Sequence, residues 1–174
     1  MKISFLWLKE FVDFTQTPAE IAALLLRQGF EVASVTPVGG PVTGVVVARV
    51  ESAQKHPNAD KLKLCEVFDG VARHAVVCGA PNVEAGKKYP FARLGATLPD
   101  GLVIEKRALR GVESHGMLCS ARELGLGQDH SGLYTLPPDA SVGQNIVETL
   151  ALNDVILEIE VTPNRPDVLS HWGV

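Results

Sequence analysis

The period of the apolar positions changes along this chain, and each change marks a segment. Ser4 precedes Phe5, Leu6, Leu8, Phe11 and Val12, an approximate helical spacing that Trp7 and Phe14 widen. A second helix is better marked. Thr17 supplies an N-cap, Pro18 suits the first turn, Glu20 completes a capping box and Gly29 ends the helix. Its stripe is Ile21, Leu24, Leu25 and Gln28. Phe30 to Val35 alternates as a strand, and Pro37-Val38-Gly39-Gly40-Pro41 reads as a linker.

Beyond the linker the pattern becomes that of strands. Val45 to Val50 is a strong strand, and Leu62 to Phe68, Ala75 to Val77, Tyr89 to Ala92 and Val103 to Leu109 are further ones. Gly70, Gly79, Gly86, Gly95 and Gly101 punctuate them. Five short strands at roughly ten-residue spacing predict a small closed barrel of the oligonucleotide/oligosaccharide-binding type. Ser120 to Leu150, with Pro137-Pro138 inside it, reads as short helix and loop packed on the outside. Val155 to Val161 returns to clean alternation, with Val155, Leu157, Ile159 and Val161 on one face and Glu158 and Glu160 on the other. Thr162-Pro163-Asn164-Arg165-Pro166-Asp167 then forms a turn ending on a helix N-cap. The chain stops at Val174, barely two turns into that expected helix, so a fragment of a longer protein is expected. The fold class that follows is α+β: residues 41–150 form the barrel with peripheral helix and loop, flanked by 1–40 and by a truncated 151–174.

Composition narrows the class. With 174 residues, 46% of them hydrophobic and 21% charged, the chain fits one or two globular domains with a real core. Lys9, Glu10 and Asp13 interrupt the apolar amino end, which argues against a signal peptide. No run approaches the ~20 apolar residues of a membrane span, so no membrane association and a cytoplasmic location are expected. Cys65, Cys78 and Cys119 are odd in number and form no Cys-x-x-Cys pair; they read as reduced core thiols.

Net charge is −4, which alone argues against a nucleic-acid binder, but its distribution is uneven. From Gly44 to Arg122 there are 12 Lys and Arg against 8 Asp and Glu, while the remainder holds 4 against 12. Lys87, Lys88, Arg93, Lys106, Arg107 and Arg110 occupy a window opposed only by Asp100 and Glu105. Either a phosphate-binding surface or an ordinary solvated face is compatible with that run.

Three polar signatures punctuate the barrel segment: His56-Pro57-Asn58-Ala59-Asp60-Lys61-Leu62, Cys78-Gly79-Ala80-Pro81-Asn82, and Ser114-His115-Gly116-Met117-Leu118-Cys119-Ser120. In the first, Asn58 and Asp60 favour a turn, and Lys55, Lys61 and Lys63 are placed to meet phosphates. In the second, Asn82 offers an amide either to RNA or to its own loop. In the third, Ser114 and Ser120 are candidates to face RNA and Arg122 to reach phosphate, while Met117 and Cys119 read as core. With Lys87, Lys88, Arg93, Arg107 and Arg110, these are the RNA-binding candidates. The competing reading is that such residues build the turns whether or not RNA binds.

Catalytic signals are missing from the sequence. His56 has no motif-linked nucleophile or acid, and His74 and Cys78, four apart, lack the second pair a metal site needs. No Gly-x-x-x-x-Gly-Lys loop occurs, and Gly125-Leu126-Gly127 lacks a strand–turn–helix setting. Only Phe68, Tyr89 and Phe91 are aromatic between Gly44 and Arg122, few for a single-strand binder that stacks bases. An RNA partner would therefore be held by backbone and shape.

The segment 45–127 resembles the tRNA-binding module of synthetase-associated proteins. The whole chain is similar to the amino-terminal portion of the bacterial phenylalanine–tRNA ligase β subunits. That narrower likeness is carried by Ser4-x-x-Trp7-Leu8, Gly29-Phe30-Glu31-Val32 and Val161-Thr162-Pro163-Asn164-Arg165-Pro166-Asp167. The resemblance implies a barrel inserted into a small split α/β domain, tRNA and an α subunit as partners in an α2β2 assembly, and ATP with Mg2+ for the whole enzyme. It places aminoacylation in the α subunit and editing later in the β chain, leaving no catalytic group and no cofactor in these residues. His115 departs from the Glu usual in free-standing modules. Two rival readings are a free-standing, chaperone-like homodimeric tRNA-binding module and a protein-docking platform that never touches RNA.

Overall fold

The computed structural model describes residues 1–38 and 41–174. Of the expected linker, Gly39 and Gly40 lie outside the described residues, and Pro37 is the last residue of a strand. In chain order the elements are β1 (Lys2–Ser4), α1 (Phe5–Leu8), α2 (Pro18–Arg27), β2 (Glu31–Pro37), β3 (Thr43–His56), β4 (Ala59–Phe68), β5 (Arg73–Cys78), β6 (Lys88–Thr97), β7 (Arg107–Leu109), β8 (Val112–Ser114), β9 (Met117–Leu118), α3 (Ile146–Thr149) and β10 (Val155–Glu160), followed by a 3-10 turn at Pro166–Val168. The chain is thus mostly β with a few short helices. It divides into two compact units: a split one, Met1–Val38 with Asn153–Val174, and a continuous one, Gly39–Leu152. No helix among the described residues is long and apolar enough to cross a membrane.

In the split unit β10 is the central strand of an antiparallel sheet ordered β1-β10-β2. Its alternation places Leu157 and Ile159 in a core with Ile3, Phe5, Leu8, Ile21 and Leu25. The α2 start follows its sequence signature: the Thr17 hydroxyl accepts from the Glu20 N–H, and the Glu20 carboxylate accepts from the Thr17 N–H at 2.8 Å. Two helical expectations fail here. The first segment is a short strand followed by one helical turn, because Ile3 is drawn into the sheet opposite Leu157 and Ser4 then caps the turn. Asp154 secures that cap, accepting from the Ser4 hydroxyl at 2.5 Å and the Leu6 N–H at 2.9 Å. At the other end no α-helix follows Asp167, only the 3-10 turn. Asp167 engages the Arg165 guanidinium at 2.8 Å instead of capping backbone N–H groups.

The continuous unit holds an antiparallel sheet of order β5-β4-β3-β6-β9 and a separate hairpin, β7-β8. Val45 to Val50 lies inside the longer β3 and is buried on both faces. Val46, Ala48 and Val50 enter one core with Val67, Val76, Tyr89 and Phe91, while Val45 and Val47 enter another with Leu98, Leu124, Leu136 and Ile146. The 120–150 region therefore supplies core as well as covering. The expected strand 103–109 is divided: Val103 makes a single bridge to Thr97, and Arg107–Leu109 folds back on Val112–Ser114. Beside the outer edge of β5, the His115 N–H donates to the Ala75 carbonyl at 2.8 Å and the Val77 N–H to the Ser114 hydroxyl at 3.1 Å. Gly116, at φ 138°, is required there, since a Cβ would run into the Phe91 ring. All three cysteines are buried and unpaired, and burial pushes the Cys65 thiol up to about 11 and Cys119 to about 12.

Candidate nucleic-acid interface

The three polar signatures converge in the folded chain. Cys78 to Pro81 and Ser114 to Ser120 both contribute to a cavity of about 390 Å³. Gly79, Ala80 and Pro81 also line a neighbouring cavity of about 550 Å³, whose other walls include Lys55, Lys61 and Lys63 of the first signature. His56 ties that first turn to the β7-β8 hairpin. The residue is 2% exposed, Nδ1 accepts from the Asn58 N–H at 3.0 Å and Nε2 faces the Leu109 carbonyl at 3.3 Å. With a backbone group against each ring nitrogen, the side chain has a structural role. Through that ring the turn at Pro57 and Asn58, with Lys55 on the strand before it and Lys61 on the strand after it, is joined to the hairpin that carries Arg107 and Arg110.

The thirteen candidates separate by what their polar atoms do. Lys63 donates to the Val83 and Pro81 carbonyls at 3.0 and 3.4 Å, fixing the Cys78 to Val83 loop. Asn82 pairs both ways with Leu133, donating to its carbonyl at 2.9 Å and accepting from its N–H at 2.8 Å, so its amide acts as a piece of strand. Lys88 donates to the Pro138 and Ala140 carbonyls at 2.5 and 2.6 Å. Arg93 donates to the Asp69 carboxylate at 2.6 Å. Ser114 is buried and bonds Val77 and Gly116. Ser120 is buried as well, and among the described residues its hydroxyl is the one buried side-chain polar atom without a partner.

The remaining candidates face solvent. Lys55 pairs with Asp60 at 2.6 Å and Lys87 with Glu84 at 2.9 Å, both exposed pairs that compete weakly with phosphate. For Asn58, Lys61, Arg107, Arg110 and Arg122, all exposed, no side-chain ion pair is found among the described residues. Arg110 is unusual in its backbone. It and Gly111 form the two-residue tip of the hairpin with φ of 51° and 88°, a turn in which Asn, Asp or Gly is the ordinary first residue.

Asp69 is the residue the sequence did not expose. Its side chain is 3% accessible and receives the Val71 and Ala72 N–H groups, His74 at 3.1 Å and Arg93. Burial works to raise its pKa, but those bonds outweigh it and hold the carboxyl well below the usual range. The Asp69-Gly70 dipeptide signals the turn, whereas the partner 24 residues away carries no local signal. Among the described residues no three His, Cys, Asp or Glu side chains gather so as to hold a metal ion.

A mostly β unit with convergent polar turns and exposed Lys and Arg side chains is consistent with a tRNA-binding class of domain. A family described as "Putative tRNA binding domain" matches residues 45–145. Over its full length the chain is 51% identical to the phenylalanine–tRNA ligase β subunit of Anaeromyxobacter dehalogenans, 47% to that of Syntrophus aciditrophicus and 49% to that of Pseudomonas fluorescens. The chain belongs to the phenylalanine–tRNA ligase β subunit family and corresponds to its amino-terminal region. It spans 22% of the length of those relatives. A likeness to a solved structure, a MetRS-related protein from Pyrococcus horikoshii, is loose: TM-score 0.43 at 19% identity, over 76% of this chain and 97% of that one.

Proposed function

We propose that the continuous unit grips tRNA by its phosphate backbone, through Lys55, Asn58, Lys61, Arg107 and Arg110, as the RNA-holding part of a ligase β subunit. The observation that carries this reading is the His56 ring, which ties the first turn to the β7-β8 hairpin and so links the segment of exposed Lys55 and Lys61 to that of exposed Arg107 and Arg110. Arg110 adds support: a bulky residue held in left-handed backbone costs energy that an Asn would avoid, as strained functional positions do. The bonds from His115 and Val77 across the β5 edge favour an oligonucleotide-binding-type barrel, with the third signature completing the wall. On this reading residues 41–150 are a module inserted between 1–40 and 151–174. ATP, Mg2+ and an α-subunit partner serve the intact enzyme, which attaches phenylalanine to tRNA outside these residues. The free-standing homodimer is the weaker alternative, because β-subunit relatives match the flanking segments as well as the module.

The test is binding of tRNA to the 174-residue chain at two salt concentrations. About four phosphate contacts predict a loss of affinity of roughly 50–150-fold between about 50 and 200 mM salt. Absent or salt-insensitive binding would contradict the proposal.

A further inference from the structure

The smaller cavity does not suit a phosphate. Two carboxylates, Glu105 and Glu123, line it together with the apolar side chains of Ile104, Met117 and Leu133. Glu123 accepts the Ser120 N–H through Oε2, so Oε1 is left to accept from something else. The buried, unpartnered Ser120 hydroxyl belongs to the same wall. Apolar walls, acceptor groups and a volume of about 390 Å³ suit a flat, donor-bearing heterocycle. Among the described residues of the unit the exposed large hydrophobics are Val71, Leu94, Leu102, Val103, Leu109 and Leu126, so none of its Phe, Tyr or Trp side chains is fully exposed as a stacking platform.

We infer that this cavity takes one unstacked RNA base carrying an exocyclic amino group. Glu105 and Glu123 accept from its amino edge, and Arg107 at the same wall meets the adjoining phosphate. This rests on the proposed RNA-binding function and adds to it a point of base selectivity within an otherwise backbone-directed grip. Bases able to enter are those already unpaired in the RNA, since extruding a stacked base has its own cost.

The experiment is a fluorescence-anisotropy titration of the whole chain with RNA hairpins whose loops are uridine except at the middle position, which is guanosine, adenosine, cytidine, uridine or an abasic site. Full-length tRNA is measured alongside. The expected result is that the amino-bearing loops bind about tenfold tighter than the uridine and abasic loops. Glu105→Gln/Glu123→Gln, which keeps the shape and the acceptor for Ser120, should compress that difference. Equal binding across the series, or tRNA binding with none of the hairpins bound, overturns the inference while leaving the RNA-binding function standing. No binding of tRNA brings down both.

Discussion

Two groups of cations in the continuous unit have the same chemistry and opposite fates. Lys63, Lys88 and Arg93 come from the strands and turn their charge inward, onto backbone carbonyls and the Asp69 carboxylate. Lys61, near the start of β4, and Arg107 and Arg110, on the β7-β8 hairpin, keep theirs in solvent. A buried carbonyl or carboxylate left without a donor costs more than a solvated ammonium gains, so the first group is consumed by folding. Counting basic residues therefore overstates the cations free to meet a ligand. On the proposed function, a binding cation is one whose charge stays in solvent or in an exposed pair.

The largest effect should come from breaking the inward group. Arg93→Met leaves the Asp69 carboxylate buried with fewer donors and should destabilise the chain by about 3 kcal/mol in urea unfolding. The tRNA affinity of the remaining folded protein should be unchanged. The same site predicts a pH dependence. Because the Asp69 carboxyl titrates lower folded than unfolded, its stabilisation is present above the usual carboxylate range and is lost as pH falls below about 4. Asp69→Asn should flatten that acid limb of stability. Next in size, Asn82→Ala strands both backbone groups of Leu133 and should cost about 2 kcal/mol without changing the salt dependence of RNA binding.

A smaller effect of opposite sign separates the groups more sharply. Arg110→Asn relieves the left-handed strain at the hairpin tip and should stabilise the chain by about 1 kcal/mol while weakening tRNA binding. Gain in stability with loss of binding is expected only at a residue kept for its partner. Smallest of all, Lys87→Ala removes an exposed pair with Glu84 and should leave the unfolding midpoint where it is.

Features set by neighbours in sequence were legible, and those set by distant partners were not. The Thr17 capping box, the β10 alternation and the apolar run in β3 each rest on spacings of two to four residues. The division of the 103–109 segment and the single turn of α1 depend on what a residue meets across the fold: Val103 on Thr97, Ile3 on Leu157. The same holds in the candidate site. That polar segments starting at His56, Cys78 and Ser114 follow β-type runs was readable, and each of the three ends a strand, but Lys88 meets carbonyls 50 and 52 residues away and Asn82 meets Leu133 51 residues away. Nothing local distinguishes those side chains from Lys61 or Arg107.

The most direct test compares salt slopes of tRNA binding, the logarithm of affinity against the logarithm of salt, between the two groups. Lys61→Ala/Arg107→Ala/Arg110→Ala should lower the slope by about 2–3, roughly one per lost phosphate contact, with the unfolding midpoint not lowered. Lys63→Met/Lys88→Met, measured on its folded fraction, should keep the wild-type slope and lose stability. A slope that drops for the inward pair and holds for the exposed trio would contradict the division of these cations into fold-building and RNA-facing sets.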